Sequence, residues 1–282
     1  MTSGVDQLTQ RQQELLKLWL PGAEVVKDHS WGLVGTTVLE LRHDGARFIA
    51  KAGDESDQHI ARELRAHRNW LGPLTLRGRA PLLAQADEAA KLLVTHYLPG
   101  DLVVGSDHER HPDTYRQAGE LLARLHEQFA VEDDDFETRA KEKALDWLAK
   151  PHRIAPEVVA RLSAEVESWP TPRVTLVPTH GDWQPRNWLV QDGTVSVIDF
   201  GRADLRPPLT DFARLAVQQF RSDSALEAAF LDGYGGDPRE PAAWHRNRVR
   251  EAIGTAVWAY QVREESFERQ GHRMIAEALA VG

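Results

Sequence analysis

Between Thr179 and Gly201 the chain reads THGDWQPRNWLVQDGTVSVIDFG, which gathers Asp182, Asn187 and Asp199 within one short stretch. Asp182 stands five positions before Asn187, and Asp199 follows at the start of Asp199-Phe200-Gly201. Carboxylate and amide oxygens are hard ligands of the kind magnesium prefers, and a further free carboxylate can orient a hydroxyl by accepting its hydrogen. Trp188 to Val190 and Val195 to Ile198 read as two strands, because Asp192-Gly193 between them is a strong hairpin signal. If the turn centres on Asp192 and Gly193, Gln191 faces Thr194, and counting outward sets Asn187 opposite Ile198. Asn187 and Asp199 then leave the hairpin at the same open end, able to share one metal ion. An ordinary surface hairpin would not need three such side chains at these spacings.

D-x-x-x-x-N and D-F-G are also the spacings of a kinase catalytic loop and its metal-binding segment. Phosphoryl transfer asks a protein for positioning and neutralisation of charge more than for covalent chemistry. Asp199 and Asn187 would hold magnesium, and Asp182 would accept a hydrogen bond from the acceptor hydroxyl and aim it at phosphorus. Lys51 would meet the inner phosphates of a nucleotide. Only seven of the 34 basic residues are Lys, so a lysine ending a strand stands out. Glu63 lies on the inward stripe of a helix expected over Asp57 to Leu71, with Ile60, Leu64, His67 and Leu71. An inward carboxylate is costly without a cation, and Lys51 is the natural partner. Phosphate cover would come from the turn Ser30 to Thr36, with Gly32 and Gly35 allowing close backbone approach and Ser30 or Thr36 donating hydrogen bonds.

Rival chemistries are weaker. No G-x-x-x-x-G-K-[ST] occurs, and no G-x-G-x-x-G follows a strand, so P-loop and dinucleotide folds are not supported. His108-Glu109-Arg110-His111 is one residue short of a zinc-protease helix motif. His180 beside Asp182 could form a hydrolytic dyad, but no G-x-S-x-G accompanies it. A histidine there is better read as bracing the loop.

These residues need a small sheet and a helical body to hold them. Strands are expected at Glu24 to Asp28, Thr37 to Arg42 and Ala46 to Lys51, the last two joined at His43-Asp44-Gly45, with Pro81 to Ala86 and Lys91 to His96 completing the sheet. Thr9 with Gln12 resembles a capping box for a helix ending at Pro21-Gly22. After Gly100 the pattern turns helical, with Tyr115, Ala118, Leu122, Leu125 and Phe129 on one face. The acidic run Val131 to Glu137 reads as a solvated linker. Further helices are expected around Asp146, from Pro156, from Thr210, and two or three from Trp244 to Ala280.

At 282 residues the chain can form one large domain or two modest lobes. A net charge of −9 argues against a nucleic-acid partner and mildly favours a cationic ligand. No apolar run is long enough for a membrane helix. The N-terminal residues lack the pattern of a signal peptide, and the absence of cysteine fits a cytoplasmic protein.

With His180-Gly181-Asp182, Asn187 and Ile198-Asp199 in place, the chain resembles the aminoglycoside phosphotransferase and choline-kinase-like enzymes, whose signature is H-G-D-x-x-x-x-N followed by a strand and I-D. GELLARLHEQ (Gly119 to Gln128) and LLVTHYLPG (Leu92 to Gly100) are similar to the family's substrate-side helix and lobe linker, and the resemblance spans about Val25 to Leu215. It implies an α+β, bilobal protein-kinase-like fold, with an N-lobe over 1–96 and a helical C-lobe over 97–282. It implies ATP, with GTP as an alternative donor, together with Mg2+, and adenine pairing with backbone groups at Thr95 and Tyr97. Arg206 to Ala213 departs from the family's G-D-P-x-x-D-L-A: Asp211 is kept, to brace the catalytic loop, and the Gly-Asp is lost.

The acceptor this implies is a small cationic antibiotic, an aminoglycoside or a tuberactinomycin-type cyclic peptide, and the outcome is resistance. Carboxylates at Glu251, Glu264, Glu265 and Glu268 would grip its amines, with Trp183 among the aromatic candidates. The alternatives are a kinase of choline or a sugar and a nucleotide-binding pseudokinase. A monomer or weak dimer is expected.

Overall fold

A computed structural model of the chain describes residues 4–30 and 35–280. The elements begin with α1 (Gln10–Trp19), β1 (Glu24–Asp28), β2 (Thr36–His43), β3 (Ala46–Gly53), α2 (His59–Asn69) and α3 (Gly72–Thr75). Next come β4 (Leu83–Asp87), β5 (Leu92–His96), β6 (Asp101–Leu102), α4 (Pro112–His126), β7 (Val131–Asp133), α5 (Phe136–Leu148) and α6 (Pro156–Ser168). They continue with β8 (Val174–Thr179), β9 (Trp188–Gln191), β10 (Thr194–Val197) and β11 (Asp204–Arg206). The chain ends in α7 (Ala213–Val217), α8 (Gln219–Ser222), α9 (Ser224–Tyr234), α10 (Pro241–Gln261) and α11 (Glu265–Leu279).

Two compact units form. The first holds Met1–Gln128, Pro178–Leu205 and Ser224–Gly236, and so takes in the whole of the expected N-lobe, 1–96. Its five-stranded sheet runs β1-β2-β3-β5-β4, and every pairing in it is antiparallel. The β2–β3 hairpin turns at Asp44 and Gly45, both with positive φ, which is the backbone twist a two-residue hairpin loop needs. Alternation along β5 sends Leu92 and Val94 to one face, where they pack with Leu39, Leu41, Phe48, Ala50 and Leu15 of α1. Leu93 goes to the other face and meets Ile60 and Leu64 of α2. Lys51 pairs in register with Leu93 and therefore faces α2. The capping box of α1 is present: Gln12 closes on Thr9, and its amide also donates to the carbonyls of Gly53 and Ala90 at 2.9 and 2.8 Å. Those bonds seat α1 on the sheet. Farther along this unit α4 crosses α9 at Gly119, where a Cβ would lie 2.2 Å from the Phe230 carbonyl oxygen. Only glycine permits that approach.

The second unit holds Phe129–Val177, Arg206–Asp223 and Asp237–Gly282. Its core is Leu148, Leu162, Val166, Trp169, Val249, Ile253, Met274 and Ile275, contributed mainly by α5, α6, α10 and α11. Three expectations are corrected here. Phe129 lies beyond the end of α4 and is exposed, because the helix closes at Glu127, whose N–H bonds back to Ala123 and Leu125. The acidic run is not a free linker. Val131 to Asp133 pairs with Val174 to Leu176, and Glu137 is buried between Arg250 at 2.7 Å and Arg246 at 3.5 Å. Breaking such a buried pair strands charge away from water, so Glu137→Ala should lower unfolding stability by about 3–5 kcal/mol in urea denaturation. The helix expected from Thr210 is a 3-10 turn, Pro208–Phe212, followed by the short α7 and α8.

Candidate functional site

The site is built on the β9–β10 hairpin. Asp192 and Gly193 both have positive φ, and the register runs from Thr194↔Gln191 to Val197↔Trp188. Ile198 N–H then donates to the Asn187 carbonyl at 2.9 Å, the pairing that counting from the turn predicts. Asn187 and Asp199 leave together at one end. Trp188, Val195 and Val197 are buried and β6 pairs along β9, so the end is held on a packed base.

Ahead of β9 the loop folds onto itself. His180 is fully buried. Its Nε2–H donates to the Ile198 carbonyl at 3.0 Å, and its Nδ1 accepts the Asp182 N–H at 3.2 Å. One ring thus ties the loop to the residue before Asp199, the bracing role expected of it, and both nitrogens are spent on backbone. Asp182 is 4% exposed. Its Oδ1 accepts from the Gln184 amide at 2.6 Å, and its Oδ2 accepts from Arg186 at 2.7 Å and from Asn187 Nδ2 at 3.0 Å. Asn187 Nδ2 also donates to the Asp182 carbonyl at 2.8 Å, leaving Oδ1 as the oxygen Asn187 can offer a ligand.

The third part is a chain of charges. Lys51 Nζ bonds both Glu63 oxygens at 2.9 Å and Asp199 Oδ1 at 3.0 Å. Glu63 is buried, so the inward carboxylate and its cation are paired as the stripe predicts. Burial opposes the lysine's charge, yet Asp199 and Glu63 outweigh it and raise the Lys51 pKa. The same lysine holds Asp199 well below the usual carboxylate range. Burial pushes Glu63 upward, and Lys51 opposes that push. Asp199 has φ +67, a left-handed conformation that a non-glycine residue keeps only when its surroundings impose it. Among the described residues its Oδ2 has no hydrogen bond, and half of its side chain is exposed.

These residues suit magnesium. Asp199 Oδ2 and Asn187 Oδ1 are hard oxygens, and magnesium takes one or two carboxylates together with water and phosphate. Among the described residues no cluster of three His, Cys, Asp or Glu side chains could hold an ion by itself. A metal here would be held jointly with a phosphorylated ligand.

Residues to which the sequence reading gave no part in the site also converge. Arg186 and Gln184 hold Asp182, and the His67 side chain is buried beside Glu63, with Nε2 4.0 Å from Oε1 and the ring edge-on to Phe200. Burial, with Lys51 nearby, lowers the His67 pKa from 6.5 to about 4. As pH falls through 6.5 the unfolded chain takes a proton at this position that the folded chain refuses. Stability should therefore drop between pH 6.5 and about 4, and His67→Leu should flatten that part of the profile in urea titrations at stepped pH.

Other expected site residues are placed less simply. Ser30 Oγ accepts the Val38 N–H at 3.0 Å, and its own N–H donates to Asp28. Gly35 packs against Asp54, where a Cβ would lie 1.7 Å from Oδ2, so that glycine closes the base of the turn. Gly32 lies outside the described residues. At the residues expected to meet adenine, the sheet engages part of the backbone. Thr95 is paired on both sides, with Ile49 and Leu83, and the Tyr97 N–H donates to the Arg47 carbonyl at 2.9 Å. The sheet ladder runs past the strand and uses that donor. Among the described residues Leu98 has the first linker N–H without a strand partner.

The acceptor candidates are mostly committed elsewhere. Trp183 is fully buried, edge-on to His180 and Trp188, and has no surface for a ligand. Glu251 lies 3.7 Å from Arg214, and Glu264 caps α11 through Ser266. Glu268 is buried near Arg153 and His272. Glu265 is exposed, with Arg269 at 3.8 Å.

Residues 33–246 match the model of the phosphotransferase enzyme family. No curated protein sequence matches the chain. The fold resembles that of macrolide 2'-phosphotransferase MphH from Brachybacterium faecium, at 19% identity and TM-score 0.64 over 93% of this chain and 96% of that one. A choline/ethanolamine kinase family protein from Mesorhizobium loti aligns at 20% identity and TM-score 0.63, over 94% of this chain and 90% of its own. Aminoglycoside phosphotransferase APH(4)-Ia aligns at 11% identity and TM-score 0.72, over 100% and 99%. At such identities the likeness speaks for the fold, the α+β protein-kinase-like arrangement.

Proposed function

The chain belongs to the phosphotransferase enzyme family, and we propose that it moves the γ-phosphate of ATP to a hydroxyl of a small cationic antibiotic. The observation that carries the transfer is the hairpin end: Asn187 and Asp199 leave one β-hairpin together, Asn187 bonds Asp182 in the loop before it, and Lys51, held by Glu63, bonds Asp199. Lys51 neutralises the inner phosphates, and Glu63 keeps its ammonium in place. Asn187 and Asp199 hold magnesium, which supplies positive charge to the phosphate oxygens when bound. Asp182 accepts the hydrogen of the acceptor hydroxyl and directs its oxygen toward phosphorus. Gln184, Arg186 and Asn187 fix the carboxylate that does this, and orientation matters more than basicity for a loose transition state.

An antibiotic acceptor is supported by the macrolide and aminoglycoside phosphotransferases among the fold relatives, and a cationic one by the net charge of −9. A cage for a quaternary ammonium would need exposed aromatic faces; of the candidate aromatics Trp183 and Trp188 are fully buried, and Trp244, Trp258 and Tyr260 are half-buried. No described helix is long and apolar enough to cross a membrane, and use of ATP would fit the cytoplasmic setting expected from the sequence. The test is incubation of the purified chain with ATP, Mg2+ and a panel of aminoglycosides, cyclic peptides, macrolides, choline and sugars, read by mass spectrometry for an added phosphate. The antibiotic KM should rise with ionic strength, since exposed ion pairs are screened. Phosphorylation of choline or a sugar alone would overturn the acceptor and leave the transferase standing.

A further inference from the structure

We infer that α2 clamps all three residues of Asp199-Phe200-Gly201, and that His59 is a positioning residue for the Asp199 carboxylate. His59, Glu63 and His67 stand four residues apart along α2 and so share one row of the helix. Each meets a different residue of the segment. His59 Nδ1 lies 2.9 Å from the Gly201 carbonyl oxygen, and because a carbonyl only accepts, Nδ1 carries the hydrogen and donates it. Glu63 holds Lys51, which holds Asp199. The His67 ring meets Phe200 at 6.2 Å, and Phe200 packs in turn on His180 at 4.8 Å. Gly201 permits the close approach, since a Cβ there would lie 3.1 Å from His59 Cβ and 3.6 Å from Glu63 Oε2.

The helix end is anchored independently of His59. Asp57 Oδ1 accepts the N–H groups of His59 and Ile60 at 2.9 Å, and Oδ2 accepts the Thr36 hydroxyl at 2.8 Å. Removing the His59 ring therefore leaves the capping bonds of α2 in place. What it removes is one of two handles on a strained residue. Lys51 holds Asp199 by its side chain, and the Gly201 carbonyl holds the backbone that follows. With φ at +67, Asp199 stores strain that it can release once that backbone is free to turn. Hydrogen bonds just outside an ion's own ligands commonly set its affinity for the same reason.

The ligand part of this inference rests on the phosphotransferase reading, so the test has two arms. In the first, ATP binding to the full chain is followed by calorimetry while Mg2+ is varied, for the parent, His59→Ala and His59→Asn. His59→Ala should raise the Mg2+ needed for half-saturation about tenfold and leave Mg2+-free ATP binding unchanged. His59→Asn, whose amide N–H can stand where Nδ1–H stood, should restore most of the loss. In the second, hydrogen exchange without nucleotide should speed up across Asp199 to Gly201 in His59→Ala and stay near the parent rate in His59→Asn. Unchanged exchange in a folded His59→Ala protein would overturn the clamp. So would an Asn variant as impaired as Ala, since ring volume and not the hydrogen bond would then be the cause. A parent protein that binds no ATP overturns the phosphotransferase reading instead, and the exchange arm still decides the clamp.

Discussion

Asp182→Asn is expected to slow phosphate transfer by about 10²–10⁴-fold while ATP binding stays at the parent level, since general acid–base positioning contributes on that scale. The two effects separate because Asp182 and the nucleotide-facing charges are held by different partners. Gln184, Arg186 and Asn187 all donate to the Asp182 carboxylate, whereas Asp199 is held by Lys51, which Glu63 holds in turn. An asparagine keeps one acceptor oxygen and turns the other corner into a donor that faces donors. It can neither accept a proton from the acceptor hydroxyl nor keep the loop's hydrogen bonds intact. Steady-state ADP release with the best acceptor, beside calorimetric ATP binding, measures both quantities. A variant that keeps a tenth of parent turnover would remove Asp182 from the role.

The hairpin register was legible because the Asp192-Gly193 turn fixes strand pairing locally, and every later pairing follows by counting. Lys51 with Glu63 was legible for a different reason: a carboxylate on an apolar helix stripe has to find a cation. Arg186 was not. It stands four residues after Asp182, but the segment is a loop ending in a 3-10 turn, Pro185–Asn187, and not an α-helix, so sequence spacing carried no expectation of contact. Glu137 sat inside an acidic run, and its partner Arg250 is 113 residues farther along the chain. The use of the Tyr97 N–H was not legible either: resemblance placed adenine at backbone groups of Thr95 and Tyr97, and only the structure shows that the antiparallel ladder with β3 extends one residue past the strand and takes that donor. His59 and His67 were invisible as a set, because their shared row acquires meaning only once α2 lies against Asp199 to Gly201.

Asp199→Ala should abolish the Mg2+ dependence of ATP binding, a loss larger than the roughly 10–100-fold produced by contacts outside the metal's own ligands. Among the described residues Asp199 supplies an ionised oxygen at the hairpin end that is not engaged, since its Oδ1 bonds Lys51 while its Oδ2 has no hydrogen bond there. Lys51 keeps that carboxylate ionised below its ordinary value of 3.8, so acidification from neutral pH down through 3.8 should not by itself discharge it. Asn187→Ala should weaken Mg2+-dependent binding less, because a neutral amide is the poorer ligand. It should also slow turnover, since Asn187 Nδ2 bonds both the Asp182 carboxylate and its carbonyl. The pair of variants thus differs in kind: loss of Asp199 acts on the metal, and loss of Asn187 acts on the metal and on the carboxylate that orients the acceptor. ATP dissociation constants with and without Mg2+, measured for the parent and both variants, decide the matter. Equal affinity in the two conditions for the parent protein, or Mg2+ dependence surviving in Asp199→Ala, would take the metal away from this end of the hairpin.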